Sequence, residues 1–154
     1  MKKYIFAALI LLAVTACGDD KNRDLSYPRI STADIEASPT NCHEYRRGEV
    51  IKFNYMFYDD TELGMFNIEV HNNFDHHSHS TSSTECTMDP NKEPVKPWVF
   101  NQGYNIPSGR TEYNAKVDIP IPTDIDTGDY HFMVRLTDMA GWQQLQAFSI
   151  KIVE

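Results

Sequence analysis

Apolar and polar residues alternate with a period of two in five segments of this chain, and no window keeps a helical apolar stripe through three turns. Clusters of Pro, Gly, Asn and Asp separate the segments. The residues on their apolar faces are Ile51, Phe53, Tyr55 and Phe57; Phe66, Ile68 and Val70; Tyr113, Ala115, Val117 and Ile119; Tyr130, Phe132, Val134 and Leu136; and Phe148, Ile150 and Ile152. Because each predicted strand has one apolar and one polar face, the pattern predicts antiparallel sheets with one face in water.

Two segments resemble parts of bacterial immunoglobulin-like and cadherin-like modules. Residues 59–70 resemble their B–C turn and C strand, and residues 127–142 resemble their F strand and F–G turn, with Gly-x-Tyr, an alternating run and then Asp-x-x-Gly. The resemblance implies an all-β fold, an immunoglobulin-like antiparallel β-sandwich. Asp59, Asp60 and Asp138 are then expected at one end of the sandwich, where turn capping is favoured over the alternative of calcium binding.

The N-terminus has the composition of a bacterial export signal. Two lysines precede an apolar run, and the sequence Val-Thr-Ala-Cys ending at Cys17 resembles a lipobox. This resemblance implies cleavage before Cys17 and lipidation of that cysteine, which would anchor the chain in a membrane. We therefore divide the chain into a signal peptide (1–16), a lipidated cysteine with a flexible tether (17–27) and a sandwich domain (28–154). An ordinary secretory signal that happens to end near a cysteine is the alternative.

Charge and hydropathy restrict the location and the partners of the mature chain. Asp19 and Asp20 follow the lipid cysteine and resemble the surface-export signal of lipoproteins in some Gram-negative anaerobes, so we expect the outer membrane and favour its cell-surface face. The net charge of −8 becomes more negative when the signal removes two lysines, and it excludes a basic surface for nucleic acid. No second apolar run approaches the ~18–20 residues of a membrane-spanning helix.

Two cysteines remain once Cys17 carries lipid. An even pair in an exported chain usually forms a disulfide, so we predict a bond between Cys42 and Cys86. The alternative, two thiolates on a metal ion, is disfavoured in an oxidising compartment. His43 lies next to Cys42, and we expect it to be structural or solvated.

Histidines are concentrated in one polar loop. Of the six in the chain, four fall within nine residues, at His71, His76, His77 and His79. Neutral imidazole is the commonest side-chain ligand for zinc, copper and nickel. A loop that presents several imidazoles can close on one ion without a rigid helix. The His-rich tract is a signal of composition only, since it matches no fixed zinc motif.

The predicted topology brings a fifth histidine to the same place. Strands C and F of an immunoglobulin-like sandwich are antiparallel neighbours, so His71 at the end of one should lie beside His131 at the start of the other. Both alternate with apolar residues and should point away from the core, with Cβ atoms ~4.5–5.5 Å apart if directly opposed. A slip of two residues would instead pair Asp129 with His71 and Glu69 with His131, and Asp75 offers an alternative oxygen ligand.

We therefore predict an open surface site for a transition-metal ion, with zinc favoured over copper and iron. Its ligands are His71, His131 and two of His76, His77 and His79. The competing interpretation is that the two strand histidines are solvated and that the loop is flexible and polar and binds no ion.

Three function classes are compatible with such a chain. Metal capture or hand-over, beside an outer-membrane transporter or a surface protein, is the first. The second is a non-enzymatic adhesion module that binds glycan or protein, for which Trp98, Phe100, Tyr104 and Trp142 are the aromatic candidates, with Trp98 and Trp142 on one shared surface. The commoner alternative is that Trp98 and Phe100 form a strand packed on the sandwich. Enzyme activity is disfavoured, because Glu69 is the only obvious general base and no nucleophile motif is present.

The loop sequence His-Asn-Asn-Phe-Asp-His-His-Ser-His-Ser and the strand sequence Gly-Asp-Tyr-His-Phe-Met together resemble a family of uncharacterised bacterial lipoproteins, the domain-of-unknown-function family numbered 4625. The resemblance spans residues 28–154 and includes His71 and His131. It implies an immunoglobulin-like lipoprotein and carries no established activity.

Overall fold

The structure is a computed structural model that describes residues 24–79 and 86–154. The predicted signal peptide, the lipidated Cys17 and the first part of the tether lie outside these residues, so the predicted domain boundaries stay predictions. Eight strands form: β1 (Arg29–Ser31), β2 (His43–Arg46), β3 (Val50–Tyr58), β4 (Leu63–Asn72), β5 (Phe100–Asn105), β6 (Glu112–Pro120), β7 (Gly128–Asp138) and β8 (Gln143–Val153).

The strands form two sheets. The order is β1-β3-β6 in the three-stranded sheet and β2-β8-β7-β4-β5 in the five-stranded sheet. Neighbours are antiparallel except for the parallel pair of β2 and β8. The predicted all-β sandwich is confirmed, whereas the finer immunoglobulin-like assignment stays a prediction. None of the described residues forms a helix that is long and apolar enough to span a membrane.

Aromatic rings from both sheets fill the core between them. Phe53 on β3 lies 6.1 Å from Phe66 on β4 and 6.0 Å from Phe132 on β7, measured between ring centroids. All the residues of the predicted apolar face of β3 are buried, with at most 1% of their surface exposed. The alternation in the sequence therefore identified the inner face of β3 correctly, because successive side chains of a strand point to opposite faces.

Strand β7 differs from the expectation of one wet face. His131 and Met133 were predicted to lie on the face that points away from the core, which was expected to be in water, and each is only 6% exposed. Both still alternate with the inner residues, so they occupy the outer face of the sheet. His131 is buried there because the loop that follows β4 packs across it, as the ring contacts described below show.

The predicted disulfide between Cys42 and Cys86 is present, with the two Cα atoms 5.4 Å apart. The Cys42 amide donates to the carbonyl of Ser149 on β8, at 2.8 Å. The covalent link therefore joins the chain just before β2 to the chain that returns from the histidine loop. His43 is exposed, and its ring packs 4.4 Å from that of Tyr45, as expected for a structural or solvated residue.

Candidate metal centre

The site begins with a cross-strand pair of histidines. Strands β4 and β7 pair antiparallel, and their register places His71 directly opposite His131, with ring centroids 5.5 Å apart. This is the predicted register. The two-residue slip is wrong, since Glu69 opposes Met133 and not His131 in the register of β4 and β7.

The loop after β4 folds back over this pair instead of extending into solvent. The Asn73 amide donates to the carbonyl of Asp129 at 2.8 Å, which continues the strand pairing by one step. Phe74 is 3% exposed, and its ring packs edge-on against Tyr130 at 5.3 Å. Burial of this ring anchors the loop, since removing a phenyl group from water contributes about 1.5–3 kcal/mol.

Three histidines point their Nε2 atoms at one another. The Nε2 atom of His71 lies 3.1 Å from that of His79 and 3.3 Å from that of His77. The ligand atoms of all three lie within 4.8 Å of one another. Four nitrogen ligands at about 2.0–2.1 Å from a tetrahedral zinc ion are separated from each other by about 3.3 Å. The two measured separations match that spacing.

Carboxylates lie behind two of these imidazoles. Asp75 Oδ1 lies 2.5 Å from the Nδ1 atom of His77, and Glu69 Oε1 lies 3.0 Å from the Nδ1 atom of His71. The second contact lacks the alignment of a hydrogen bond, since the Nδ1 atom of His71 has no hydrogen-bond partner. A carboxylate that is hydrogen-bonded to the far nitrogen, as Asp75 is to His77, holds the Nδ1–H tautomer and leaves the Nε2 lone pair free for a metal ion.

His131 supports the loop and does not join the convergent group. Its Nε2 atom lies 3.0 Å from the carbonyl oxygen of His77, and because a carbonyl only accepts, this nitrogen must carry the proton. Its ring lies 4.5 Å from that of His79 and 5.0 Å from that of His77. The hydrogen bond positions the loop over the sheet, and the Nε2 atom of His131 is engaged with the loop backbone, so its role as a metal ligand stays a prediction.

Burial favours the neutral form of two imidazoles, those of His131 and His79. It lowers the pKa of His131 to about 4, helped by the charges of His79, His77 and His71 and opposed by the hydrogen bond to the His77 carbonyl. Burial also lowers the pKa of His79, again with the charges of His71 and His77 and against that of Glu69. A neutral imidazole is the form that binds a metal ion.

His76 is turned away from the group that His71, His77 and His79 form. His76 adopts a left-handed backbone conformation with φ of 59°, and its Nε2 atom lies 2.9 Å from the carbonyl oxygen of Asp89. Of the three loop candidates, His77 and His79 therefore join His71, and His76 does not. Asp75, predicted as an oxygen ligand, lies behind His77 instead.

The contact of Glu69 with the His71 ring was not predicted from the sequence, where Glu69 entered as a base or as a ligand. The available signal was its spacing, because residues two apart on a strand share a face. Glu69 and His71 satisfy that spacing on β4.

The two tryptophans proposed for adhesion do not share one surface. Trp98 is 5% exposed and its amide donates to the hydroxyl of Tyr130, near the start of β7. Trp142 follows the end of the same strand, at the opposite end of the sandwich. A buried indole cannot stack on a sugar ring, so Trp98 is a core residue.

Comparison with models of known protein families identifies the family of this chain. A family model described as "Domain of unknown function (DUF4625)" matches residues 15–153. The chain belongs to this family. A model of the prokaryotic membrane lipoprotein lipid attachment site matches residues 1–17, and it ends on the predicted lipid cysteine. No curated protein matches this member of the DUF4625 family. The chain is thus a membrane-anchored lipoprotein of a family without an assigned activity.

Proposed function

We propose that this lipoprotein binds one transition-metal ion through His71, His77 and His79, with zinc favoured over copper and iron. The convergence of three Nε2 atoms carries the proposal. Hydrogen bonding alone accounts for it poorly, because the Nε2 atom of His71 faces two other Nε2 atoms and can donate to only one of them. A cation at their centre would satisfy all three lone pairs together.

The exposure of the site suits capture and hand-over. Three protein ligands leave a fourth position of a tetrahedral ion open. His77 is exposed, and together with His71 it lines a surface depression of about 410 Å³ that also contains Lys92 and Glu93. A ligand from another molecule can enter that position and draw the ion away by exchange.

The carboxylate contacts argue for binding without catalysis. Hydrolysis on zinc requires a base that faces the metal-bound water. Glu69 and Asp75, the carboxylates that contact the histidine group among the described residues, both face the Nδ1 atoms of ligands. Asp75 orients the imidazole of His77 by a hydrogen bond, and neither carboxylate is placed to accept a proton from water on the opposite side.

The lipid anchor places such a site at a membrane surface. The acidic residues after the lipid cysteine support the outer membrane and its cell-surface face as the location. In that setting the partner that we propose is an outer-membrane transporter or a surface protein, which would receive or supply the ion by ligand exchange.

Calorimetric titration of the full chain in detergent with Zn²⁺, Cu²⁺ and Fe²⁺ tests the proposal. We expect one ion per chain with a dissociation constant in the micromolar range or below, and weaker binding at pH 5 because protons compete for the imidazole lone pairs. Failure of all three ions to bind would overturn the metal function and would favour the adhesion module.

Replacing Asp75 by asparagine is expected to weaken zinc binding about tenfold, since second-shell partners of metal-bound histidines typically contribute 10- to 100-fold. The His77 hydrogen bond also lowers the pKa of Asp75, so the carboxylate is ionised when the site is filled. Calorimetry measures the change. Asp124→Asn is the matched control, because this exposed aspartate pairs with Lys96 away from the histidines. Equal affinity of the two variants would exclude the orienting role.

A further inference from the structure

The chain enters the sandwich at the end opposite the histidines. The described residues begin at Asp24, whose carbonyl accepts the indole Nε1–H of Trp142, just after β7, at 3.1 Å. The ring of Tyr27 packs 4.8 Å from the Trp142 ring, between centroids. The Ser26 hydroxyl donates to Asp60 Oδ2, in the turn after β3, at 2.6 Å. This segment is therefore held against two turns of the sandwich, one after β3 and one after β7.

The two turns are closed by aspartates of their own. Asp59 Oδ1 accepts the Glu62 amide at 2.8 Å, and Asp138 Oδ1 accepts the Trp142 amide at 2.8 Å. These are the turn-capping contacts expected of aspartates in such positions. The Met139 amide also donates to the Glu62 carbonyl at 3.0 Å, which joins the turns to each other. The N-terminal segment thus lies on a surface of fixed shape.

Apolar side chains at this end are open to solvent. Leu25, Tyr27 and Met139 have 67%, 65% and 66% of their surface exposed. Ala140 is exposed beside Met139, and the Trp142 ring next to Tyr27 is partly exposed. Tyrosine and tryptophan combine an apolar ring with a polar tip, and they are enriched where a membrane meets water. The patch that these residues form therefore has the composition of a surface for a membrane interface.

The lipid attachment site brings a bilayer within reach of this patch. The match to that site ends at Cys17, seven residues before Asp24. Seven residues span at most about 24 Å even when the chain is fully extended. The lipid anchor thus supplies the patch with a nearby membrane at a high effective concentration, so a weak apolar contact is sufficient for binding.

We propose that Leu25, Tyr27 and Met139 rest in the interface of the bilayer that holds the lipid anchor. Durable membrane attachment commonly combines an acyl anchor with a second contact, and this patch would supply the second contact. The exposed Asp60 lies at the same end, so the patch enters no deeper than the headgroup layer. For the same reason it suits zwitterionic lipids better than anionic ones.

This contact would turn the histidine site away from the membrane. His131, opposite His71, and Asp138, opposite Leu63, are seven residues apart on β7. At the rise of a strand this separation is about 24 Å. The histidines would then face the aqueous side, where a partner reaches the ion without entering the bilayer. This consequence rests on the proposed metal function, whereas the membrane contact itself does not.

Tryptophan fluorescence of the full lipidated chain in phosphatidylcholine vesicles tests the contact. Trp98→Phe leaves Trp142 as the single tryptophan, and lipids brominated on their acyl chains near the headgroup should quench its emission. The double substitution Leu25→Ser and Met139→Ser, at exposed positions, should remove most of this quenching. Val95→Ser is the matched control, because this residue is 89% exposed and its amide contacts Asp126, near the start of β7.

The same comparison in the chain that keeps Trp98 covers the case in which Trp98→Phe fails to fold. Unquenched Trp142 emission would overturn the contact, and so would quenching that persists in full after the double substitution, because the tether alone would then bring the ring near the lipid. An equal loss of quenching in Val95→Ser would overturn it as well. Emission that depends on the number of chains per vesicle and not on bromination would assign the patch to a second copy of the chain.

The lipid charge gives an independent reading. At low salt, vesicles that contain anionic phosphatidylglycerol should quench Trp142 less than phosphatidylcholine vesicles do, because the carboxylates at this end are repelled. Stronger quenching by the anionic vesicles would contradict the proposed contact. Zinc titration in detergent reads the metal function separately, so failure of the membrane contact and failure of the metal site are distinguishable.

Discussion

Replacement of His71 by alanine is expected to weaken zinc binding by about 100-fold or more, because the Nε2 atom of this residue faces the Nε2 atoms of both His77 and His79. Its loss leaves the two loop ligands, His77 and His79, without the third ligand that strand β4 holds in place. Competition of the purified variant against a chelator of known affinity, with calorimetry in parallel, measures the change. The Tm of the variant in metal-free buffer should stay near that of the wild type, since His71 is only partly buried.

His76→Ala is the matched control for this result. It removes the same chemical group five residues further along the chain, in the loop after β4, yet the His76 side chain contacts the Asp89 carbonyl and not the convergent group. We expect its zinc affinity to stay within about threefold of the wild type, a change of less than about 1 kcal/mol. If His76→Ala weakened binding as much as His71→Ala, or if His71→Ala bound as the wild type does, the three-histidine site would be wrong.

Removal of the disulfide by the double substitution Cys42→Ala and Cys86→Ala is expected to lower the free energy of unfolding by about 4 kcal/mol. The two residues are 44 positions apart, and the bond restricts a loop of that length in the unfolded chain. Urea unfolding followed by tryptophan fluorescence measures the difference. Thiol reductant should destabilise the wild type to a similar degree and should leave the double variant unchanged, because a lipidated cysteine is a thioether that such reagents do not reduce.

The same variant should also bind zinc less tightly, by about tenfold. The disulfide holds Cys86, which follows the histidine loop in the chain. Without the disulfide the free loop is less restricted, so ion binding must order it at a larger cost in conformational entropy. Calorimetry at a temperature where the variant is folded measures this effect. Unchanged stability would contradict the role of the disulfide in holding the fold, and unchanged zinc affinity with reduced stability would show that the loop is held by Phe74 and His131 instead.

The inner faces of the strands could be predicted because they depend on local periodicity. Alternation assigns every second residue to one face, and Phe53 and Tyr55 on β3 are buried as that rule requires. The pairing of His71 with His131 also followed, from two adjacent antiparallel strands and the positions of their ends. The residues of the outer face of β7 were assigned to the correct side, but their exposure was predicted wrongly, because periodicity reports which side a residue occupies and not what covers it.

The amino-acid sequence by itself determined the β-sandwich, the lipid attachment site, the disulfide pair and the region of the histidine cluster. Only the tertiary structure decided which histidines converge, because the left-handed turn at His76 and the burial of Phe74 set the path of the loop. It also decided that Asp24 lies beside Asp59 and Asp60, which are far from it in the chain. Local patterns specify faces and turns, whereas contacts between distant segments depend on how the whole chain closes around its core.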